Sequence, residues 1–162
     1  MAAFFVFGFS ASSLYSDYGQ ESEQPAVSSA VSGSILGLPS DRASPHDWIK
    51  EDQIHVYSDK VVIDLRNAEW ATFTDTKSMD PVIDFRSNAI EVVPAKPEDI
   101  HLGDIVSYES KYASGTIIHR VVEIGNDEDG WYCRLKGDNL DDKDPGKVRF
   151  GQIRRVVVAV IY

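Results

Sequence analysis

The chain has 162 residues, with 16 Lys and Arg against 26 Asp and Glu, which gives a formal net charge of −10. Its 43% of hydrophobic residues can form a core, which excludes wholesale disorder, and its length allows one ordinary domain. The acidic balance argues against a nucleic-acid partner, because phosphate contacts require clustered Lys and Arg. Cys133 is the only cysteine, so we expect neither an intrachain disulfide nor a multi-cysteine metal site.

A mostly apolar segment occupies residues 1–16. It is shorter than the roughly 20 residues that a membrane-spanning helix needs, and no basic residues precede its apolar part as they would in a secretory signal. A truncated membrane anchor, an atypical signal peptide and an apolar tail are the three interpretations that stay open. Residues 17–44 are rich in Ser, Gly, Ala, Gln and Pro and predict a flexible tether.

A folded domain is predicted over residues 45–162. Ser44 as N-cap, Pro45 at the first helical position and Asp47 in the first turn predict a short helix that ends near Gln53. Beyond it the apolar residues alternate, and turn residues divide them into eight short runs, so we expect a mainly β domain with one short N-terminal helix. The predicted strands lie around residue 56 and at 61–63, 71–74, 89–92, 105–108, 116–124, 131–136 and 155–162.

Ser78 is the first candidate functional residue, because it stands three positions before Pro81. Proline cannot donate a hydrogen bond to a sheet, so a turn is expected to present the Ser78 hydroxyl rather than bury it between strands. An ordinary turn serine would have the same local sequence. Ser78 alone therefore does not indicate catalysis.

His119 is the second candidate, since it lies between two β-branched residues on one face of a predicted strand. Such neighbours exclude water and favour the neutral imidazole that a general base requires. A core histidine bonded to the backbone would show the same pattern. The other histidines, His46, His55 and His101, form no pair at ligand spacing, so no zinc site is expected.

Acidic and amide side chains cluster in the third candidate segment, residues 136–146. Ca²⁺ is one conceivable ligand, but the oxygens lack the alternate spacing and the closing Glu of an EF-hand, so we expect no metal and no cofactor. The other interpretation is that an aspartate of this segment orients His119 and stabilises its imidazolium form. Spacing alone does not decide between Asp138 and Asp144. Nucleophile, base and acid would then follow in the order Ser, His, Asp.

Four short sequence boxes follow one another over roughly residues 72–162. They are Ser-Met-Asp-Pro at 78–81, Gly-Asp-Ile-Val at 103–106, Ile-His-Arg-Val-Val at 118–122 and Lys-Gly-Asp-Asn at 136–139, with Asp144 beyond the last. This order resembles the type I signal peptidases, and most closely the branch of archaea and the endoplasmic reticulum. The resemblance implies the complex, mainly β fold that signal peptidases share with self-cleaving, LexA-like repressors.

The resemblance also implies roles for five residues. Ser78 matches the nucleophile, and His119 matches the general base at a place where the bacterial branch has lysine. Asp144 matches the catalytic acid and Asp138 its supporting neighbour, since six positions also separate the family's two aspartates. Thr76 matches a small hydroxyl residue that helps the Ser78 N–H to hold the oxyanion.

Three features depart from the family pattern. Asp80 replaces the usual Glu, and Lys77 stands where Gly is common, although neither change removes a catalytic group. About sixty residues separate Ser78 from the apolar segment, whereas the family's nucleophile closely follows its membrane anchor.

The resemblance implies a serine endopeptidase that cleaves secretory precursor polypeptides after small residues. It would be membrane-associated through the N-terminal segment, with its catalytic domain on the extracytoplasmic or lumenal face. One alternative is a non-catalytic peptide-binding module that retains the peptidase fold. Another is a regulatory self-cleaving protease of the repressor type, but those use a lysine base where this chain has His119.

Overall fold

The computed structural model describes residues 42–162, so the apolar segment at 1–16 and nearly all of the tether at 17–44 lie outside the described residues. The described part is mainly β, which confirms the expected fold class. Its strands are β1 (Ile54–Val56), β2 (Val61–Ile63), β3 (Ala68–Thr72), β4 (Asn88–Val92), β5 (Ile105–Glu109), β6 (Thr116–Asp127), β7 (Gly130–Lys136) and β8 (Ile153–Ile161). Short 3₁₀ helices lie at Glu51–Gln53, Pro97–Asp99 and Phe150–Gln152.

Six strands form the main sheet in the order β3-β4-β8-β5-β6-β7, and every neighbouring pair is antiparallel. The C-terminal strand β8 is thus inserted between β4 and β5 and joins the earlier strands to the later ones. β1 and β2 form a separate antiparallel hairpin whose apolar side chains are largely exposed. Among residues 42–162, no helix has the length and apolar character needed to cross a bilayer.

The strand predictions differ from the structure mainly at their ends. β3 begins at Ala68 and ends at Thr72, earlier than the predicted 71–74, because all five of its residues pair along Asn88–Val92. β6 extends to Asp127, where it meets Gly130 across a tight turn. The predicted and observed strands otherwise occupy the same segments.

The predicted helix from Ser44 to Gln53 is correct only in its last turn, the 3₁₀ helix Glu51–Gln53. Residues 44–48 instead form no regular secondary structure, and the Trp48 N–H donates to the His46 carbonyl at 2.9 Å. The His46 N–H donates to a carboxylate oxygen of Asp104 at 2.8 Å, and Trp48 packs against the core. Ser44 precedes proline, which itself favours extended backbone.

Two apolar clusters lie on opposite faces of the sheet. Val106 and Tyr108 of β5 belong to one cluster, whereas Ile105 belongs to the other together with Met79 and Ile83, as the alternation of a strand requires. Cys133 is fully buried in the first cluster, and burial raises the pKa of its thiol to about 12. The single cysteine therefore packs in the core as an uncharged thiol.

Candidate active site

Ser78 begins a turn that follows β3. The Met79 carbonyl accepts hydrogen bonds from the N–H groups of Val82 at 2.9 Å and Ile83 at 3.0 Å, and the Met79 side chain is buried against Ile83. Lys77 has φ of +59°, a left-handed conformation that glycine adopts most easily. The turn therefore presents Ser78 as predicted, with Lys77 in a conformation that a glycine would adopt with less strain.

Residues 137–139 lie directly against this turn. The Ser78 carbonyl accepts from the Asn139 N–H at 2.9 Å, and the Asn139 side-chain amide donates to the Lys77 carbonyl at 3.0 Å. A Cβ atom at Gly137 would stand 2.6 Å from the Ser78 carbonyl oxygen, so only glycine permits this approach. The Lys-Gly-Asp-Asn box thus fixes the backbone on which Ser78 sits.

His119 and Asp144 form a short hydrogen bond. The distance from His119 Nδ1 to Asp144 Oδ2 is 2.6 Å, and both side chains are mostly buried. A carboxylate only accepts, so Nδ1 carries the proton and Nε2 of a neutral ring has a free lone pair. The Asp144 N–H donates to the Leu135 carbonyl at 2.8 Å, which ties this loop residue to the end of β7. Of the two aspartates that spacing left open, Asp144 is therefore the one in contact with His119.

Asp138 instead pairs with Arg120, the residue after His119. Arg120 Nε and Nη2 donate to the two carboxylate oxygens of Asp138 at 2.8 and 2.7 Å, and Nη1 donates to the Gly103 carbonyl at 2.8 Å. The Asp138 N–H also lies 3.4 Å from the sulfur of Met79. Asp138 thus connects the strand of the candidate base to the turn of the candidate nucleophile without touching His119.

Thr76 contacts the candidate nucleophile through its hydroxyl, with Oγ1 3.1 Å from Ser78 Oγ. Within residues 42–162, Ser78 Oγ makes this bond and none to His119. The Ser78 N–H donates to no acceptor in the same part of the chain, which leaves it available to a bound molecule. The structure therefore places Thr76 where it can act beside the Ser78 N–H, but it does not join Ser78 directly to His119.

A cleft of about 870 Å³ brings Ser78 and His119 into one site. Residues 71–74 at the end of β3 and residues 116–119 of β6 line it, and Met79 and Ile83 add apolar side chains. β3 is an edge strand, paired with β4 on one side only. The cleft therefore lies beside an edge to which an extended chain can add.

Six charged side chains also line the cleft, and three of them are ion-paired. Arg154 pairs with Glu109 at 2.7 Å, and Arg155 with Glu69 at 2.5 Å. Glu91 is buried, and this burial raises the pKa of its carboxyl against the opposing effects of the Ser107 hydroxyl and Arg155. The lining charges thus nearly compensate one another.

The Gly-Asp box has a structural role. Asp104 is fully buried and accepts from the N–H groups of His46 and His101, each at 2.8 Å. Gly103 has φ of +93°, and a Cβ there would meet the Ser44 carbonyl. This box fastens residues 44–46 to the domain, and it places no side chain in the cleft.

Two residues that contact the site, Arg120 and Tyr108, have no role in the sequence predictions. Arg120 was visible inside the box at 118–122, but only the structure shows that it holds Asp138. The Tyr108 hydroxyl donates to Asp144 Oδ2 at 2.8 Å. The sequence indicates only that Tyr108 shares a strand face with Val106, two residues earlier. That this face lies beside His119 follows from the pairing of β5 with β6.

Residues 42–162 contain no group of three or more His, Cys, Asp or Glu side chains placed to ligate a metal ion. Comparisons of the chain with known family models, with curated proteins and with solved structures find no match.

Proposed function

We propose that the chain is a serine endopeptidase of signal-peptidase type, with Ser78 as nucleophile, His119 as general base and Asp144 as orienting acid. The observation that carries the proposal is the 2.6 Å hydrogen bond between His119 and Asp144 at a cleft that Ser78 also lines. A base whose second ring nitrogen is held by a buried acid is the arrangement that Ser-His-Asp acyl transfer uses.

The proposed reaction begins when Ser78 Oγ attacks the peptide carbonyl and its proton passes to His119 Nε2. The imidazolium is stabilised by Asp144, which remains ionised. His119 then gives the proton to the leaving amine, so the peptide bond breaks and an acyl ester on Ser78 remains. Water attacks this ester with His119 again as base, which releases the acid and restores Ser78.

The oxyanion of each tetrahedral intermediate would be held by the Ser78 N–H and the Thr76 hydroxyl. The free Ser78 N–H and the nearness of Thr76 Oγ1 support this assignment. In the substrate-free chain Ser78 Oγ bonds to Thr76 and not to His119, so the proposed reaction requires the Ser78 hydroxyl and the imidazole to come into hydrogen-bond contact. Catalytic hydrogen bonds are often long in free enzymes and tighten when substrate binds.

The proposed substrate is an extended segment of a secretory precursor, cleaved after a small residue. The unpaired edge of β3 beside the cleft supports binding of an extended chain. The preference for small residues, the membrane association through residues 1–16 and the extracytoplasmic or lumenal location come from the family resemblance. We further propose that nucleic acid and cofactors have no part in the reaction.

Cleavage of a secretory precursor by the full chain tests this function. Ser78→Ala and His119→Ala should each lower the rate on the order of 10⁴-fold or more, because each removes a group that takes part in bond making. Ser58→Ala is the matched serine control, since Ser58 is exposed and does not line the cleft, and His55→Ala removes an exposed histidine elsewhere. Undiminished cleavage by both site variants would refute the mechanism.

A non-catalytic peptide-binding module is the second candidate function. The observation that favours it is the Ser78 hydroxyl, which bonds to Thr76 rather than to His119. This candidate predicts saturable peptide binding with no product at neutral pH, and equal binding by Ser78→Ala. Turnover that depends on Ser78 would eliminate it.

A further inference from the structure

We propose that Tyr108 is a positioning residue of the candidate active site, because its hydroxyl holds the Asp144 carboxylate in the orientation in which that carboxylate meets His119. The inference rests on the proposed function and adds to it a residue that the sequence boxes do not contain. Two contacts carry it, the 2.8 Å bond from the Tyr108 hydroxyl and the 2.6 Å bond from His119, and both end on Asp144 Oδ2.

The pairing of β5 with β6 places Tyr108 beside His119. Val106 lies directly opposite His119, and Tyr108 follows two residues later on the same face. Such diagonal neighbours lie about 7–8 Å apart at their backbones, which an aromatic side chain can span. The β5–β8 register also shifts between Ser107 and Tyr108.

Tyr108 is a rigid donor. Its side chain is 1% exposed and packs in the core cluster with Val106 and Val121, so its hydroxyl has little freedom to move. Burial, together with the hydrogen bond to Asp144, raises the pKa of Tyr108 above its ordinary value. The phenol therefore remains an O–H donor over the pH range of any enzyme assay.

Asp144 needs such a support because it lies on a loop after β7. Its backbone is fixed by the N–H bond to Leu135, but the last torsion of an aspartate side chain is soft. A single hydrogen bond from His119 would leave the carboxylate plane free to rotate. The second bond, from a fixed phenol, removes this freedom.

Tyr108→Phe tests the kinetic consequence, since it deletes the hydroxyl and keeps the ring. We expect kcat for peptide cleavage to fall roughly 10- to 100-fold, the usual worth of one hydrogen bond to a charged group, with KM within about twofold. Tyr132→Phe is the matched control, because the Tyr132 hydroxyl makes only a 3.4 Å contact with Glu123. An unchanged kcat in Tyr108→Phe, with Ser78-dependent cleavage intact, would overturn the inference but leave the proposed function standing.

A double-mutant comparison separates positioning from a merely structural role. If Tyr108 acts through Asp144, then Tyr108→Phe should lower kcat only when Asp144 is present and have no further effect in an Asp144→Ala background. An equal loss in both backgrounds would show that Tyr108 does not act through Asp144.

The His119 Nδ1–H resonance gives a readout that needs no turnover. A short bond to a carboxylate should place this proton far downfield in the wild-type chain, and Tyr108→Phe should shift or broaden it while the melting temperature shows that the fold persists. An unchanged resonance and an unchanged imidazole titration would refute the positioning role. This measurement decides the inference even if the wild-type chain fails to cleave any peptide, an outcome that would count against the proposed function alone.

Discussion

We predict that breaking the ion pair between Arg120 and Asp138 lowers the free energy of unfolding of the described domain more than breaking any other single contact. Their side chains are only 9% and 3% exposed, so solvent does not screen the pair, and Arg120 spends three N–H donors on Asp138 and Gly103. Asp138→Ala leaves a buried guanidinium without its counter-ion. Removing one partner of a buried pair typically costs about 3–5 kcal/mol.

That loss is a large part of the free energy of unfolding, which is roughly 5–15 kcal/mol for a domain of this size. Urea unfolding followed by tryptophan fluorescence at pH 7 would give the free energies of unfolding of wild type and variant. Asp129→Ala is the matched control, because the carboxylate of Asp129 is 86% exposed in its 3.3 Å pair with Arg149 and such pairs contribute about 0–1 kcal/mol. If Asp138→Ala changed the free energy of unfolding by less than about 1 kcal/mol, the structural role of Asp138 would be wrong.

Three further predictions follow from contacts away from the reacting atoms. Gly137→Ala should lower both stability and peptide cleavage, because the new Cβ would meet the Ser78 carbonyl at 2.6 Å; equal melting temperature and rate would contradict this. Hydrogen bonds from Arg149 and Lys147 hold the pKa of Asp127 well below its ordinary value. The ionised Asp127 carboxylate therefore stabilises the folded state above the pKa of about 3.9 that an aspartate has in the unfolded chain, and this stabilisation is lost as the pH falls below that value. Acid unfolding of Asp127→Asn should consequently depend less steeply on pH below about 4, as circular dichroism would show. The Cys133 thiol, with its pKa raised to about 12 by burial, should resist alkylation at pH 8 in the native protein and react in denaturant, as mass spectrometry would show.

The local sequence pattern was sufficient to predict the strands. Side chains two positions apart along a strand lie on the same face, so alternating apolar residues mark a strand. Ile105 and Val106 accordingly pack into opposite clusters. The prediction of a helix at 44–53 was wrong because of a contact that is distant in the sequence. Its capping residues are genuine signals, but Asp104, nearly sixty residues away, accepts the His46 N–H.

The candidate site could be predicted as a set of residues but not as a set of contacts. Ser78 and Asp144 stand beside turns and His119 lies on one face of a strand, and both patterns are visible in the sequence. Which aspartate meets His119 depends on the loop that returns Asp144 to Leu135, a backbone contact with no sequence signature. Tyr108 reaches Asp144 only through the β5–β6 register, which local pattern does not specify.

Acid-quench mass spectrometry during turnover tests the central claim most directly. A peptide ester of the precursor sequence should acylate faster than the amide, so that the acyl-enzyme accumulates before hydrolysis. We predict the acyl fragment on the tryptic peptide that contains Ser78, and its absence in Ser78→Ala and in His119→Ala. Turnover that leaves Ser78 unmodified, or acylation that persists at another residue in Ser78→Ala, would contradict the account.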